Sequence, residues 1–163
     1  MKKLFTVLFM YLMAMSANAQ YVDLGLLSGT LWKQENESGG FFSYGEAIRN
    51  FGDKLPTKAQ CEELKKYCTW NWGWTSKYGE GYTVTGSNGN QIFIPALGNR
   101  PAEANVVYNE GRGGWIWSST YEEFYDAGED RKVPMPCALM CASHCVDVIN
   151  CRVGSGLSVR LVK

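Results

Sequence analysis

The sequence lacks the motifs on which most catalytic sites are built. It contains one histidine, His144, and it has no HExxH, P-loop, dinucleotide-binding or nucleophile-elbow motif. The paired carboxylates Glu122–Glu123 and Glu129–Asp130 lie in charged stretches, where a solvated surface is the simpler interpretation. No cofactor is indicated, so the sequence favours a protein without catalytic chemistry of its own.

An excess of charge of either sign is also missing. The chain has 16 basic and 16 acidic residues and shows no internal repeat or low-complexity tract. Removal of the leader described next would take away two lysines, leaving 14 basic against 16 acidic residues, a net charge of about −2. This balance argues against nucleic acid or an anionic membrane as the main partner.

Long hydrophobic runs are absent apart from residues 4–15, which are too few to span a bilayer. Lys2 and Lys3 precede this run and Ala-Asn-Ala (17–19) follows it, which is the pattern of a secretory signal peptide. We therefore predict a signal peptide at residues 1–19, a mature chain that starts at Gln20, and no membrane span after cleavage. The expected location is secreted, periplasmic or at the cell surface. The predicted cleavage point has no cysteine, so the sequence does not support a lipid anchor there.

The remaining residues, 20–163, are enough for a single domain with its own core. Residues 113–121 read Gly-Gly-Trp-Ile-Trp-Ser-Ser-Thr-Tyr, a strand pattern with large side chains on both faces. Such a strand normally runs between two layers. With 18 glycines and 13% aromatic residues, the composition fits an α+β domain with many loops.

The clearest helix signal follows Pro56. Thr57 and Gln60 have the spacing of a capping box, and Cys61, Leu64 and Cys68 recur at helical spacing. We predict a helix over residues 58–68 with these three side chains inward, and a short helix within 41–49. Further strands are expected at 21–27, 29–34, 69–74, 82–85, 91–95, 137–142, 146–152 and 156–163, with loops at 96–112 and 122–136.

Six cysteines lie in the predicted mature chain, and an exported protein with an even number is typically disulfide-bonded. Cys61 and Cys68 would lie about 10 Å apart on an intact helix, which exceeds the roughly 7 Å limit for a bridge. Cys145 and Cys151 flank a five-residue link and are the preferred pair, across a hairpin. Zinc bound by cysteines of this region and His144 is the less favoured alternative, so no metal is predicted.

Several ordered phrases together resemble one family. They are Val-Asp-Leu-Gly-Leu (22–26) with Ser-Gly-Thr-Leu-Trp (28–32), Phe-Ser-Tyr-Gly-Glu (42–46), Leu-Pro-Thr (55–57) with Glu-Leu (63–64) and Cys-Thr-Trp (68–70), Asn-Gly-Asn-Gln-Ile-Phe-Ile-Pro-Ala (88–96), Gly-Trp-Ile-Trp-Ser-Ser-Thr (114–120) and Gly-Leu-Ser-Val-Arg (156–160). The chain thereby resembles the Fibrobacter succinogenes major paralogous domain family, exported proteins of Bacteroidetes-type bacteria. The resemblance covers nearly all of the predicted mature chain, but the series Cys137, Cys141 and Cys145 departs from it.

The resemblance implies a C-type-lectin-like fold, with a short twisted, mostly antiparallel sheet, one or two flanking helices and long loops. This fold hosts adhesins, lectins, receptors and an enzyme, so it implies little about chemistry. Calcium-dependent sugar binding is disfavoured, because Glu103-Ala104-Asn105 lacks the proline of the usual triplet and Trp117 is followed by two serines. The cysteine pair of the formylglycine-generating relatives cannot be placed on this chain.

Related folds place their ligand face at the loop that follows the central strand. Trp115, Tyr121, Phe124 and Tyr125 border that loop here and are the candidate ligand-binding residues, whereas Trp117 and Trp70 are assigned to the core. We therefore expect a non-enzymatic module that binds a glycan or a protein. A formylglycine-generating type of enzyme and a structural component of an extracellular assembly remain as alternatives.

Overall fold

The longest strand is β6 (Gly113–Asp126), which lies between two layers of side chains. It pairs antiparallel with β7 (Arg131–Ala142), and β7 pairs with β8 (Cys145–Asn150). The computed structural model describes residues 21–128 and 130–163, so the predicted signal peptide lies outside the described residues. Residues 113–121 lie between two layers, as predicted, but β6 is an end strand of its sheet, whose middle strand is β7.

Two smaller antiparallel sheets accompany this one. Strands β1 (Tyr21–Asp23) and β2 (Leu31–Lys33) form a pair, and β3 (Thr69–Thr75), β4 (Gly79–Thr85) and β5 (Gln91–Pro95) form a meander. The described residues thus contain three small antiparallel sheets and two short helices, consistent with the predicted α+β class.

Both helices begin with a capping box. Helix α1 (Tyr44–Phe51) is capped by Ser43 with Glu46, and a 3-10 turn (Gly52–Lys54) follows it. Helix α2 (Lys58–Tyr67) is capped by Thr57, whose hydroxyl accepts a hydrogen bond from the Gln60 amide at 3.2 Å. The predicted start of α2 is confirmed. Neither helix is long and apolar enough to cross a membrane, and no other described helix is.

The core consists of two clusters of buried side chains, one on each face of β6. Ile116 belongs to the first core cluster and Trp117 to the second, as alternation along a strand requires. The first also contains Leu24, Leu26, Trp32, Cys61, Leu64, Tyr82, Val84, Ile92, Ile94, Leu139, Cys141 and Val162. The second also contains Ala47, Leu55, Ala138, Leu157, Val159 and Leu161.

Residues 157–162 form a seam that joins distant parts of the chain. The Ser158 amide donates to the Trp115 carbonyl and the Trp117 amide donates to the Ser158 carbonyl, each at 3.0 Å. Further along, Val162 bridges to Trp32 of β2. All six side chains are buried, and the segment makes isolated bridges in place of the continuous strand predicted over residues 156–163. The segment has protein on both sides.

Candidate functional site

Residues 121–126 of β6 and 131–136 of β7 form a two-stranded ribbon, called the ribbon below. Tyr121 pairs with Pro136 at its base and Asp126 with Arg131 at its tip. The sequence predicted a loop over residues 122–136, and that prediction is wrong. Outside the turn between β6 and β7, all of this segment is strand.

The prolines explain why the ribbon tolerates residues that usually end strands. The Cys151 amide donates to the Pro136 carbonyl at 2.8 Å, so the nitrogen and carbonyl of Pro136 point away from β6. Pro134 lies two residues earlier and points the same way. Neither proline removes a hydrogen bond from the β6–β7 ladder, because the missing N–H groups would have faced the other edge.

A bulge in β6 fixes the base of the ribbon to helix α2. The pairing shifts between Trp117 and Tyr121, where four steps along β6 match two along β7. Within the bulge, the Ser119 amide donates to the Pro56 carbonyl at 2.8 Å, and the Thr120 hydroxyl accepts from the Lys58 amide at 3.0 Å. The bulge thereby satisfies an amide of the first turn of α2.

An ion pair adds a second connection between the ribbon and α2. The Glu122 carboxylate contacts the Lys58 ammonium and also accepts from the Asn150 side-chain amide at 3.2 Å. The hydrogen bond from Lys58, followed by that from Asn150, lowers the pKa of Glu122, and the same contact raises the pKa of Lys58. The carboxylate is therefore held ionised at the ribbon's base.

The ribbon exposes three of the four predicted ligand-binding side chains. Tyr121 is 56% exposed, Phe124 44% and Tyr125 64%. Trp115, by contrast, is half-buried against the second core cluster. The Tyr125 hydroxyl also contacts the Asp130 carboxylate, which limits the movement of the ring at the tip. Three large rings thus face solvent within six consecutive residues.

The register divides the predicted residues between the two faces of the ribbon. The partners of Trp115, Tyr121 and Tyr125 on β7 are Met140, Pro136 and Lys132, which are even-numbered and share one face. Phe124 pairs with Val133 and therefore lies on the opposite face, with Glu122. The structure brings Tyr121 and Tyr125 together and separates Phe124 from them.

Two of the remaining tryptophans were expected in the core. Trp117 is fully buried, its indole N–H donates to the Phe42 carbonyl at 2.7 Å, and its ring meets Tyr44 edge-to-face at 5.4 Å. That expectation is confirmed. Trp70 is half-buried and meets Tyr82 edge-to-face at 5.5 Å. Trp74, two positions past the half-buried Trp72 on the same strand, is 66% exposed.

The cysteines do not take the arrangement expected from the sequence. Cys145 begins β8 and Cys151 follows its last residue, so six extended steps of about 3.3 Å place them roughly 20 Å apart. A disulfide requires Cα atoms within about 7 Å, and the strand therefore does not accommodate the Cys145–Cys151 bridge. The reason is that residues 145–150 pair with β7 instead of turning back.

Most of the thiols are shielded from solvent. Burial raises the pKa of Cys68 and of Cys151 to about 11, and it also raises the pKa of the fully buried Cys61 and Cys141. Thiols with raised pKa values are poor nucleophiles. In the described part of the chain, no three His, Cys, Asp or Glu side chains are grouped as a metal site requires.

The sequence did not predict a cleft of about 330 Å³ that lies beside β5. Glu35, Asn36, Lys77 and Tyr78 contribute to its walls. The Lys77 ammonium and the Tyr78 hydroxyl both donate to the Glu35 carboxylate, which lowers the pKa of Glu35. Tyr78 in turn stacks on Phe93 with a centroid separation of 5.4 Å. These residues are dispersed in the sequence and carry no local motif.

Arg160 lies fully buried behind this cleft. Its Nε donates to Asn36 Oδ1 at 2.7 Å and its Nη2 to the Phe93 carbonyl at 2.8 Å, whereas Nη1 has no hydrogen-bond partner in residues 21–128 and 130–163. Burial lowers the pKa of Arg160 to about 10, so it remains charged at neutral pH. No local pattern in the sequence predicts this burial, because Ser158 and Arg160 alternate with apolar residues as on a half-exposed strand.

The fold and the ribbon together define an α+β protein with an exposed aromatic hairpin. Comparison of the chain with protein-family models, with curated proteins and with solved structures finds no match.

Proposed function

We propose that this protein is an exported, non-enzymatic binding module that recognises a glycan or a protein through the aromatic side chains of the ribbon. The observation that carries the proposal is the exposure of Tyr121, Phe124 and Tyr125 on a hairpin with a fixed base. Aromatic rings supply large contact areas at a small loss of conformational entropy. Exposed rings on a rigid support are therefore typical of recognition sites.

The prolines favour recognition by side chains over recognition by backbone. With Pro134 and Pro136 on the outer edge of β7, that edge of the ribbon offers few N–H donors to an incoming strand. The two ring faces and the charges beside them remain as contact groups. Glu123 and Lys132, which form an ion pair at 3.4 Å, flank the tyrosine face and can give a ligand orientation.

A C-type-lectin-like fold, as in the Fibrobacter succinogenes major paralogous domain family, is part of the proposal. Two short flanking helices, short antiparallel strands and the long connection between β5 and β6 support it. In such a domain the hairpin after the central strand would correspond to the ligand-facing side. The predicted signal peptide places the module outside the cytoplasm.

The test is a binding array of glycans and extracellular proteins probed with the purified chain and with a variant in which Tyr121, Phe124 and Tyr125 are all alanine. We expect the variant to keep its thermal midpoint within a few degrees, because these rings are exposed. Binding to the ligand found with the parent chain should be lost.

Three further variants sharpen the result. Tyr67→Ala removes a ring of comparable exposure from helix α2 and should leave binding unchanged. The pair Tyr121→Ala/Tyr125→Ala and the single change Phe124→Ala affect opposite faces of the ribbon, so they identify the face that the ligand uses. Normal binding by the triple variant, or loss of its fold, would remove the ribbon as the site.

A further inference from the structure

We propose that β3 is a self-association edge, which pairs antiparallel with β3 of a second copy of this chain. The pairing would join two three-stranded sheets into one sheet across a two-fold axis. It is independent of the ribbon, which lies on a different sheet.

Strand edges in natural proteins are normally protected, since unpaired N–H and C=O groups recruit other strands. The outer carbonyl of Asp23 in β1 accepts hydrogen bonds from the side-chain amides of Asn88 and Asn90, at 2.9 and 2.8 Å. The outer edge of β5 ends in Pro95, and the Phe93 carbonyl is occupied by Arg160. These two edges are closed by groups of the same chain.

The third sheet protects its edges in other ways. Pro134 and Pro136 remove N–H donors from the free half of β7. In β8, the Asp147 carboxylate accepts from the Val148 amide at 2.8 Å and contacts the Lys65 ammonium of α2 at the same distance. A charge and an occupied amide both discourage pairing with a further strand.

Strand β3 has none of these protections. Its sequence, Thr-Trp-Asn-Trp-Gly-Trp-Thr, contains neither charge nor proline. It pairs only with β4, and its backbone makes no hydrogen bond to any other described part of the chain. Seven residues of aromatic edge are therefore open to pairing.

A second copy is the partner that this edge fits. Antiparallel pairing about a two-fold axis at Trp72 sets Trp70 opposite the partner's Trp74. The pairing would cover the indole of Trp74, which is 66% exposed in the single chain. No charges meet in this register, and the net charge of about −2 of the predicted mature chain, 14 basic against 16 acidic residues, gives little repulsion between copies. One strand pair buries less than the roughly 1,600 Å² of a standard interface, so the dimer should dissociate on dilution.

Sedimentation of the purified protein over a concentration series measures this association. We expect the mass to double at high concentration and to return to that of one chain on dilution. Asn71→Lys should keep the protein monomeric throughout, because the two added charges would lie roughly 7–8 Å apart on one face. Gln91→Lys is the matched control, since Gln91 is exposed on the same sheet face but lies on β5.

Amide hydrogen exchange of the unmodified protein locates the contact. The outward amides of β3 should exchange more slowly at high concentration, whereas those of the ribbon should not change. A protein that is monomeric at every concentration would overturn the proposal. So would a dimer that survives Asn71→Lys, or one that leaves exchange in β3 unaltered.

Discussion

Two tryptophans with similar neighbours in the sequence occupy opposite environments. Trp117 and Trp74 each lie in a strand that contains another tryptophan two residues earlier. The Trp117 side chain is buried against Tyr44 of α1, and its indole N–H donates to the Phe42 carbonyl. The Trp74 side chain, in contrast, extends past the edge of the first core cluster and is exposed. Alternation alone does not distinguish them, because it places a side chain on a face without saying where the core ends.

Alanine at these two positions should therefore have very different effects on stability. Trp117→Ala should destabilise the domain by about 3–5 kcal/mol, since it removes a buried ring and one of the two hydrogen bonds that the Phe42 carbonyl accepts. Trp74→Ala should change the free energy of unfolding by no more than about 0.5 kcal/mol. Urea unfolding of the three proteins measures both. Similar midpoints for the two variants would contradict the burial of Trp117.

The burial of Arg160 could not be predicted from the residues next to it in the sequence. The alternating pattern of residues 157–162 predicts a solvated side for Arg160, yet protein surrounds the segment completely. The pattern fails because its acceptors, Asn36 and the Phe93 carbonyl, come from remote loops and strands. The same limit applies to the cleft around Tyr78, whose walls are separated by more than 100 residues.

At the scale of elements, local rules predicted helix α2 well and the ribbon poorly. The capping box of Thr57 and Gln60 acts within one turn, so its signal is complete in the sequence. A proline in a strand breaks pairing only when its nitrogen faces the partner, and that depends on the register of β6 against β7. The bulge at residues 118–120 adds an even number of residues, so Trp115, Tyr121 and Tyr125 share the face that simple alternation along β6 predicts.

The contact between the ribbon and α2 should depend on pH. The folded-state pKa of Glu122 lies below its ordinary value, so its contribution is complete above the unfolded value of about 4.3 and is lost as pH falls through the folded value. Glu122→Gln should lower the thermal midpoint at pH 7 and differ little from the parent chain at pH 3.

Glu123→Gln is the control for this comparison. The Glu123 carboxylate forms an ion pair with the well-exposed Lys132, and surface pairs of this kind contribute little. Its midpoint should follow that of the parent protein at both pH values. An equal loss at pH 3 and pH 7 for Glu122→Gln would show that packing, and not ionisation, links the ribbon to α2.

At the scale of the whole molecule, the two core clusters should unfold together. Leu157, Val159 and Leu161 belong to the second cluster, Val162 belongs to the first, and β6 contributes to both. We expect a single urea transition with coincident midpoints by tryptophan fluorescence and far-ultraviolet circular dichroism. Leu157→Ala should lower both midpoints equally, by about 2–5 kcal/mol in stability. Separate transitions would show that the clusters are independent.

The seam at residues 157–162 also has a consequence for the order of events during synthesis. These residues are made after every strand and helix that they contact, so Trp32, Phe42 and Ile116 wait for their partners. At typical rates of 5–20 residues per second, the interval between residues 21 and 162 is roughly 7–30 s. Throughout that time the nascent chain presents the apolar surfaces that the seam later covers, and it remains a substrate for chaperones until the seam itself has been made.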